Sequence, residues 1–229
     1  PEEADLAVAE GADGIGLFRT EFLYMAQNGT NSTTAARSFS EDSQFKAYKY
    51  VLETMGDKPV TIRTLDAGGD KLINSVDIPI VEESNPLMGL RAVRLSLEYP
   101  NLLKTQLRAL YRASVHGNLR IMLPLITSVD QVTSCIKLVD EVKKELTFEN
   151  IPFNDKVPLG IMVETAAAAI ISDCLAKVSD FFSLGTNDLT QYTLGIDREN
   201  QHVSALYDEF HLGVLRMIQI TITNANEAN

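Results

Sequence analysis

The sequence predicts an α/β fold on a parallel sheet. Apolar runs of strand length recur along the chain, each is followed by a segment with helical spacing, and the two alternate strictly. Such alternation gives parallel strands joined by right-handed crossovers. With 229 residues and 45% hydrophobic content, the chain can bury a sizeable core. Five strand and helix pairs are visible. A closed (β/α)8 barrel needs eight and an open doubly wound sheet can stop at five, so the pattern alone leaves both open.

Residues 1–10, PEEADLAVAE, form a short amphipathic helix ending near Gly11. GIGLFRTEF, Gly14 to Phe22, is an apolar strand that ends on Arg19, Thr20 and Glu21, and residues 26–40 have no period and read as an exposed loop. A helix over 41–55 places Phe45, Tyr48, Val51, Leu52 and Met55 on one face. The strand from Val60 to Leu65 closes on Asp66-Ala67-Gly68-Gly69-Asp70-Lys71, a turn that can bring backbone close to a ligand. A loop over 72–85 leads to NPLMGLRAVRLSL, where Pro86 can begin a helix and Arg91 and Arg94 lie one turn apart. Helix 101–116 and a buried strand from Leu119 to Ile126 follow, and Ser128 with Gln131 makes a capping box for a helix to 147. Pro158 to Thr165 is a strand ending on Glu164, and the alanines 166–169 favour a helix reaching 177. Asp180 to Thr186 is a short buried strand that breaks into Gly185, Thr186, Asn187 and Asp188; a final helix spans 204–222 before a polar tail.

The formal net charge of −11 argues against a nucleic-acid backbone or an anionic membrane as the main partner, so basic groups in a pocket stand out. Cys135 and Cys174 lack CxxC spacing and fall in helix-like segments, which reads as two reduced interior thiols. No signal peptide, transit peptide or membrane-length apolar run is visible, and a reducing cytoplasm is the simplest compartment.

Arg19, Arg63, Glu164, Asn187 and Asp188 all fall at the carboxyl end of an expected strand. In a parallel α/β sheet ligands bind at that edge, so residues far apart in sequence are expected to converge there. Arginines clamp a phosphate or carboxylate in bidentate fashion, while Glu164 and Asp188 supply the hard oxygens that suit Mg²⁺. Together they suggest phosphoryl transfer. Each residue also has a plainer reading: Arg19 with Glu21, or Arg63 with Asp66, as a local ion pair at a rim. Met162 reads as core, Arg108 and Arg112 as solvated, and His116, His202 and His211 have no ligand spacing.

The motifs GIGLFRTEFLYM, IRTLDAGGDK, NPLMGLRAVR, LRALYRAS, LRIMLPLI, GIMVETAAA and DFFSLGTNDLTQYTLGIDREN occur in this order over nearly the whole chain. They resemble the successive motifs of the Enzyme I family, the phosphoenolpyruvate-protein phosphotransferases of the bacterial sugar phosphotransferase system. A weaker likeness extends to pyruvate phosphate dikinase and phosphoenolpyruvate synthase. The resemblance implies a (β/α)8 TIM-type barrel, here incomplete, with strands 2 to 6 of the eight, making residues 1–229 a single partial domain. It implies phosphoenolpyruvate and Mg²⁺ at the barrel mouth. Arg19 and Arg63 would hold the phosphoryl group, Arg91 would add to the clamp, and Arg198 and Asn187 would contact the substrate. Glu164 and Asp188 would ligate Mg²⁺, with Asp188 also at the substrate; Lys71 matches the family pattern as well.

The family's phospho-accepting histidine lies on a separate amino-terminal domain, and the cysteine that protonates the enolate follows the seventh strand. The resemblance therefore assigns no catalytic residue here and implies a piece of a longer chain, inactive alone. Through the absent domain the parent would serve the phosphocarrier protein HPr. The family forms its homodimer through this domain, and an unclosed barrel is expected to be unstable or to associate. Small departures are Ala166 for a usual Pro, Leu90 for a usual Trp, HLGVL for a His-Pro pattern and a longer 26–40 loop. A dikinase or synthase barrel, and a non-catalytic sensing or dimerisation module, are the competing readings.

Overall fold

The computed structural model describes residues 3–25, 40–68 and 83–228. The chain divides into two compact units, one of Pro1–Met122 with Cys135–Pro158, the other of Leu123–Ser134 with Leu159–Asn229.

The first unit opens with α1 (Glu3–Ala9), β1 (Ile15–Arg19) and the short α2 (Glu21–Met25). β1 stops at Arg19, not at Phe22, because the buried Thr20 turns its hydroxyl back to donate to the Arg63 carbonyl at 3.0 Å. The chain coils there, with the Leu23 N–H donating to the Thr20 carbonyl. α3 (Glu41–Met55) starts where the Ser40 hydroxyl accepts from the Ser43 N–H, and ends at Gly56, whose φ of 60° suits glycine. Its face of Tyr48, Val51, Leu52 and Met55 is buried, as the helical spacing predicts.

β2 (Pro59–Arg63) pairs in parallel with β1, Arg19 opposite Arg63, and with β3 (Asn118–Leu123) in unbroken register from Pro59 opposite Asn118 to Arg63 opposite Met122. A 3-10 turn at Pro86–Met88 leads to α4 (Ala92–Glu98) and α5 (Pro100–Ala113). Leu103, Leu107, Leu110 and Tyr111 of α5 are buried, and Leu65, Ala67 and Leu95 form a small core of their own. At Gly117 an added Cβ would come within 2.8 Å of the Leu52 carbonyl, so only glycine fits between α3 and the start of β3.

The helix after β3, α6 (Val129–Phe148), places acidic side chains against α5. Arg108 and Arg112, expected to be solvated, instead reach Glu41, Asp42, Glu145 and Glu149 at 2.6–3.2 Å. Helical spacing alone could not show that two neighbouring helices present carboxylates to that face.

The second unit holds β4 (Leu159–Val163), entirely buried, paired in parallel with β5 (Phe182–Leu184). The expected Ser128 and Gln131 capping box forms with a shift: the Ser128 hydroxyl accepts from the Gln131 N–H, but the Gln131 side chain accepts from Thr127. The helix expected over 166–177 is two helices, α7 (Ala166–Ile170) and α8 (Ser172–Leu175). The Ser172 hydroxyl takes the Ala169 carbonyl at 2.8 Å and so competes with continuous helix. This break turns Cys174 outward, while Cys135 is buried as expected.

α9 (Thr186–Leu194) follows β5, and the last helix, α10 (Leu212–Glu227), lies later than the expected 204–222. Residues 204–206 form only a 3-10 turn; Asp208 then accepts from the Phe210 N–H, and His211 caps α10 by accepting from Gly213 at 3.1 Å. Most of the expected tail is thus helical. The loops expected at 26–40 and 72–85, and Lys71, lie almost entirely outside the described residues.

Candidate functional site

Each unit carries one cluster of the residues singled out in the sequence. In the first unit the strand ends deliver arginines. Arg63, the last residue of β2, is 7% exposed, with Nη2 2.9 Å from Glu21 Oε1 and Nη1 2.9 Å from Asp66 Oδ2. Asp66 uses its other oxygen on Arg91, Oδ1 to Nη2 at 2.9 Å. One carboxylate therefore pins two guanidiniums, and Glu21 Oε1 also accepts from the Asp66 N–H at 3.1 Å. Arg19, opposite Arg63, is exposed and pairs with no carboxylate among the described residues. Of the two plainer ion pairs, Arg63 with Asp66 forms; Glu21, however, serves Arg63.

Arg91 is held by backbone as well as by charge. Gly68 and Arg91 make an antiparallel bridge, the Ala92 N–H donates to the Ala67 carbonyl at 3.1 Å, and Ala92 takes a φ of 51° at the start of α4. A left-handed alanine is strained, and strain of this kind persists where the surroundings fix it.

In the second unit Glu164 follows β4 and is 1% exposed. Its Oε1 accepts from the Leu125 N–H at 2.6 Å, and Leu125 is itself left-handed, with φ 53°. Gly185 lies against it: an added Cβ would be 2.7 Å from Glu164 Cβ and 2.8 Å from Oε2. Thr165 anchors the same turn, donating to the Ile126 carbonyl at 2.8 Å and accepting from the Ala168 N–H at 3.1 Å to cap α7. Asp188, in the first turn of α9, pairs with Arg198 at 2.8 Å, and the Arg198 N–H donates to Gln191. Asn187 is exposed beside it, its carbonyl accepting from the Tyr207 hydroxyl at 3.3 Å.

No group of three or more His, Cys, Asp or Glu side chains among the described residues could hold a metal ion. Mg²⁺ keeps waters and uses one or two carboxylates with substrate phosphate, and Glu164 and Asp188 are donors of that kind. Gly185 packs so closely on Glu164 that a methyl group there would displace the carboxylate. Within each unit the clusters can do distinct chemistry: oriented guanidiniums for an anion, hard oxygens for a small cation. Sequence spacing gave Arg19, Arg63, Glu164, Asn187 and Asp188 as strand-end groups, but not the bridging role of Asp66, the Leu125 backbone donor or the Gly185 contact. The left-handed Ala92 and Leu125 carry no composition signal.

Over residues 1–229 the chain matches the family model described as "PEP-utilising enzyme, PEP-binding domain". It is 46% identical over 226 residues to the phosphoenolpyruvate-protein phosphotransferase of Geobacillus stearothermophilus, covering 99% of this chain and 37% of that protein. It is also 46% identical over 229 residues to that of Lactococcus lactis subsp. lactis, covering 99% and 38%. The chain thus spans well under half the length of these curated relatives. Among solved structures, a citrate lyase from Burkholderia xenovorans LB400 aligns with a TM-score of 0.54 at 16% identity, over 99% of this chain and 57% of that one, a likeness of fold alone. The chain, parallel α/β and matched along its whole length, belongs to the phosphoenolpyruvate-utilising enzymes and corresponds to their phosphoenolpyruvate-binding domain.

Proposed function

We propose that this chain is the phosphoenolpyruvate- and Mg²⁺-binding part of a phosphoenolpyruvate-protein phosphotransferase, with residues 1–229 as one domain of an incomplete (β/α)8 barrel, strands 2 to 6 of eight. The observation that carries the reading is the pinning of Arg63 and Arg91 by the single carboxylate of Asp66, in a chain 46% identical to phosphotransferases. Guanidiniums held in fixed orientation recognise a phosphoryl group with little rotamer entropy left to lose. Arg19 and Arg198 would add charge, and Asn187 a neutral donor, toward the same substrate.

Glu164 and Asp188 would hold Mg²⁺, which when bound supplies positive charge to oxygens that become more negative during reaction. As the phosphoryl group leaves phosphoenolpyruvate, the P–O bond breaks and the electron pair stays on the enolate of pyruvate. The arginines would stabilise the moving phosphoryl group by donating to its oxygens. In the whole protein that group would pass to a histidine of another domain and on to the phosphocarrier protein HPr, driving sugar uptake in the cytoplasm, with this domain forming a homodimer.

Calorimetric titration of phosphoenolpyruvate, with and without Mg²⁺, tests the binding reading. Saturable binding that needs Mg²⁺, and that is lost in a Glu164→Ala, Asp188→Ala double variant, is expected. No binding to a folded sample would overturn it.

A further inference from the structure

Behind the arginine cluster lies a buried amide that the phosphoryl chemistry does not use. Gln106 sits on the apolar face of α5, between Leu103 and Leu110, yet is 2% exposed. A buried amide without partners is costly, and this one is engaged at both ends. Its Oε1 accepts from the Leu65 N–H at 2.9 Å, and its Nε2 donates to the Thr20 hydroxyl at 3.3 Å and to the Tyr48 hydroxyl at 3.1 Å. The direction of the amide is fixed, because a backbone N–H can only donate and so must face Oε1. Donors and acceptors then run in one sense: Thr20 Oγ1 donates to the Arg63 carbonyl at 3.0 Å, and Tyr48 Oη donates to Gln44 Oε1 at 2.9 Å.

The residues it grips are significant. Thr20 stands between Arg19 and Glu21, and Leu65 stands between Thr64 and Asp66 just after Arg63. One side chain therefore ties the end of β1 to the end of β2. We propose that Gln106 is a positioning residue for the arginine cluster: it fixes the carboxyl ends of β1 and β2 against each other, so that Glu21 and Asp66 meet Arg63 and the three cations stand where an anion can use them. This inference rests on the reading of the cluster as the phosphoryl-binding part. Gln106 reaches the cluster through the Leu65 N–H and the Thr20 hydroxyl, so its effect travels through the strand ends. Displacement of the strand ends by about 1 Å is enough to weaken a preorganised site roughly 100-fold.

The test compares Gln106→Met, which keeps length and removes both hydrogen-bonding ends, with Tyr48→Phe, which removes a network hydroxyl without touching either strand end. Thr20→Val, which frees the β1 end from both the amide and the Arg63 carbonyl, serves if Gln106→Met does not fold. Two readouts are taken on folded 229-residue chain: the Kd for phosphoenolpyruvate with Mg²⁺, and the ¹⁵N resonances of the Arg63 Nη groups, separate when pairing of one Nη with Glu21 and the other with Asp66 slows guanidinium rotation and averaged when it does not. Expected is a Kd raised at least about tenfold in Gln106→Met or Thr20→Val with averaged Arg63 resonances, and both readouts close to the parent in Tyr48→Phe. Parent-like affinity and resolved resonances in Gln106→Met would overturn the proposal, as would an equal loss in Tyr48→Phe, which would make the network merely structural. If the parent chain itself fails to bind phosphoenolpyruvate, the functional reading falls, and the Arg63 resonances decide the positioning role alone: averaged in Gln106→Met, it stands; unchanged, it fails.

Discussion

Glu164→Gln and Glu164→Ala differ at one hydrogen bond, and that difference separates scaffold from ligand chemistry. A glutamine can still accept from the buried Leu125 N–H, whereas alanine leaves that donor unsatisfied, at a cost of about 1–3 kcal/mol. Urea unfolding should therefore find Glu164→Gln close to the parent and Glu164→Ala clearly weaker, while titration finds Mg²⁺ dependence lost in both. Equal stability of the two would mean that the Leu125 contact does not hold the turn. Asp66 behaves differently because it serves two cations. Asp66→Asn keeps shape but removes the charge shared by Arg63 and Arg91, and breaking such a partly buried pair costs about 3 kcal/mol. A loss of unfolding free energy of about a few tenths of a kcal/mol or less in denaturant titration would show the pairs to be solvent-screened.

At the scale of elements, the turn joining β5 to α9 depends on Gly185 for closeness, its φ of −85° being open to any residue. Gly185→Ala should displace Glu164 and weaken Mg²⁺-dependent binding while leaving far-UV circular dichroism unchanged; unchanged binding would show that Glu164 can move aside without loss. The alternation of strand and helix was legible in the sequence because apolar runs and helical periods survive any tertiary detail. So were the strand-end positions of Arg63 and Glu164, since a buried strand must deliver its next polar residue at an edge. What periodicity missed was local competition for backbone groups. Thr20 ended β1 early, Ser172 split one expected helix, and Asp208 with His211 moved the start of the last. Gln106 was legible in principle, as a polar residue among the buried leucines of α5, but a single amide on an apolar face has no spacing to announce it. Arg108 and Arg112 could not be read correctly from α5 alone, because their partners lie on α3 and α6.

For the whole molecule, the ion network of α3, α5 and α6 sets how stability varies with pH. The hydrogen bond that Lys104 donates to Glu145 holds that carboxyl below the usual glutamate range and raises the Lys104 ammonium above its own. The glutamate's contribution is present above its unfolded value of about 4.3 and fades as pH falls through the lower folded value. The lysine's is present below about 10.4 and fades as pH rises through the higher folded one. Melting temperature should drop at both ends, and Glu145→Gln should flatten both limbs slightly, since exposed pairs contribute under about 1 kcal/mol. Identical profiles would leave the pair without thermodynamic effect. On α10, Leu212, Leu215, Ile220 and Ile222 are exposed, and sedimentation velocity should find this chain self-associating; a monodisperse monomer with a cooperative melt would count against that.

The two thiols give the molecule an internal clock. Cys174 is open to solvent, whereas burial pushes the Cys135 thiol up to about 12, so it is sealed from water and scarcely ionised. A maleimide or disulfide reagent added in excess should consume one sulfur at once and the second only as fast as α6 detaches from the core. Any additive that tightens the first unit would then announce itself as a slower second phase, without a chromophore or tag being introduced.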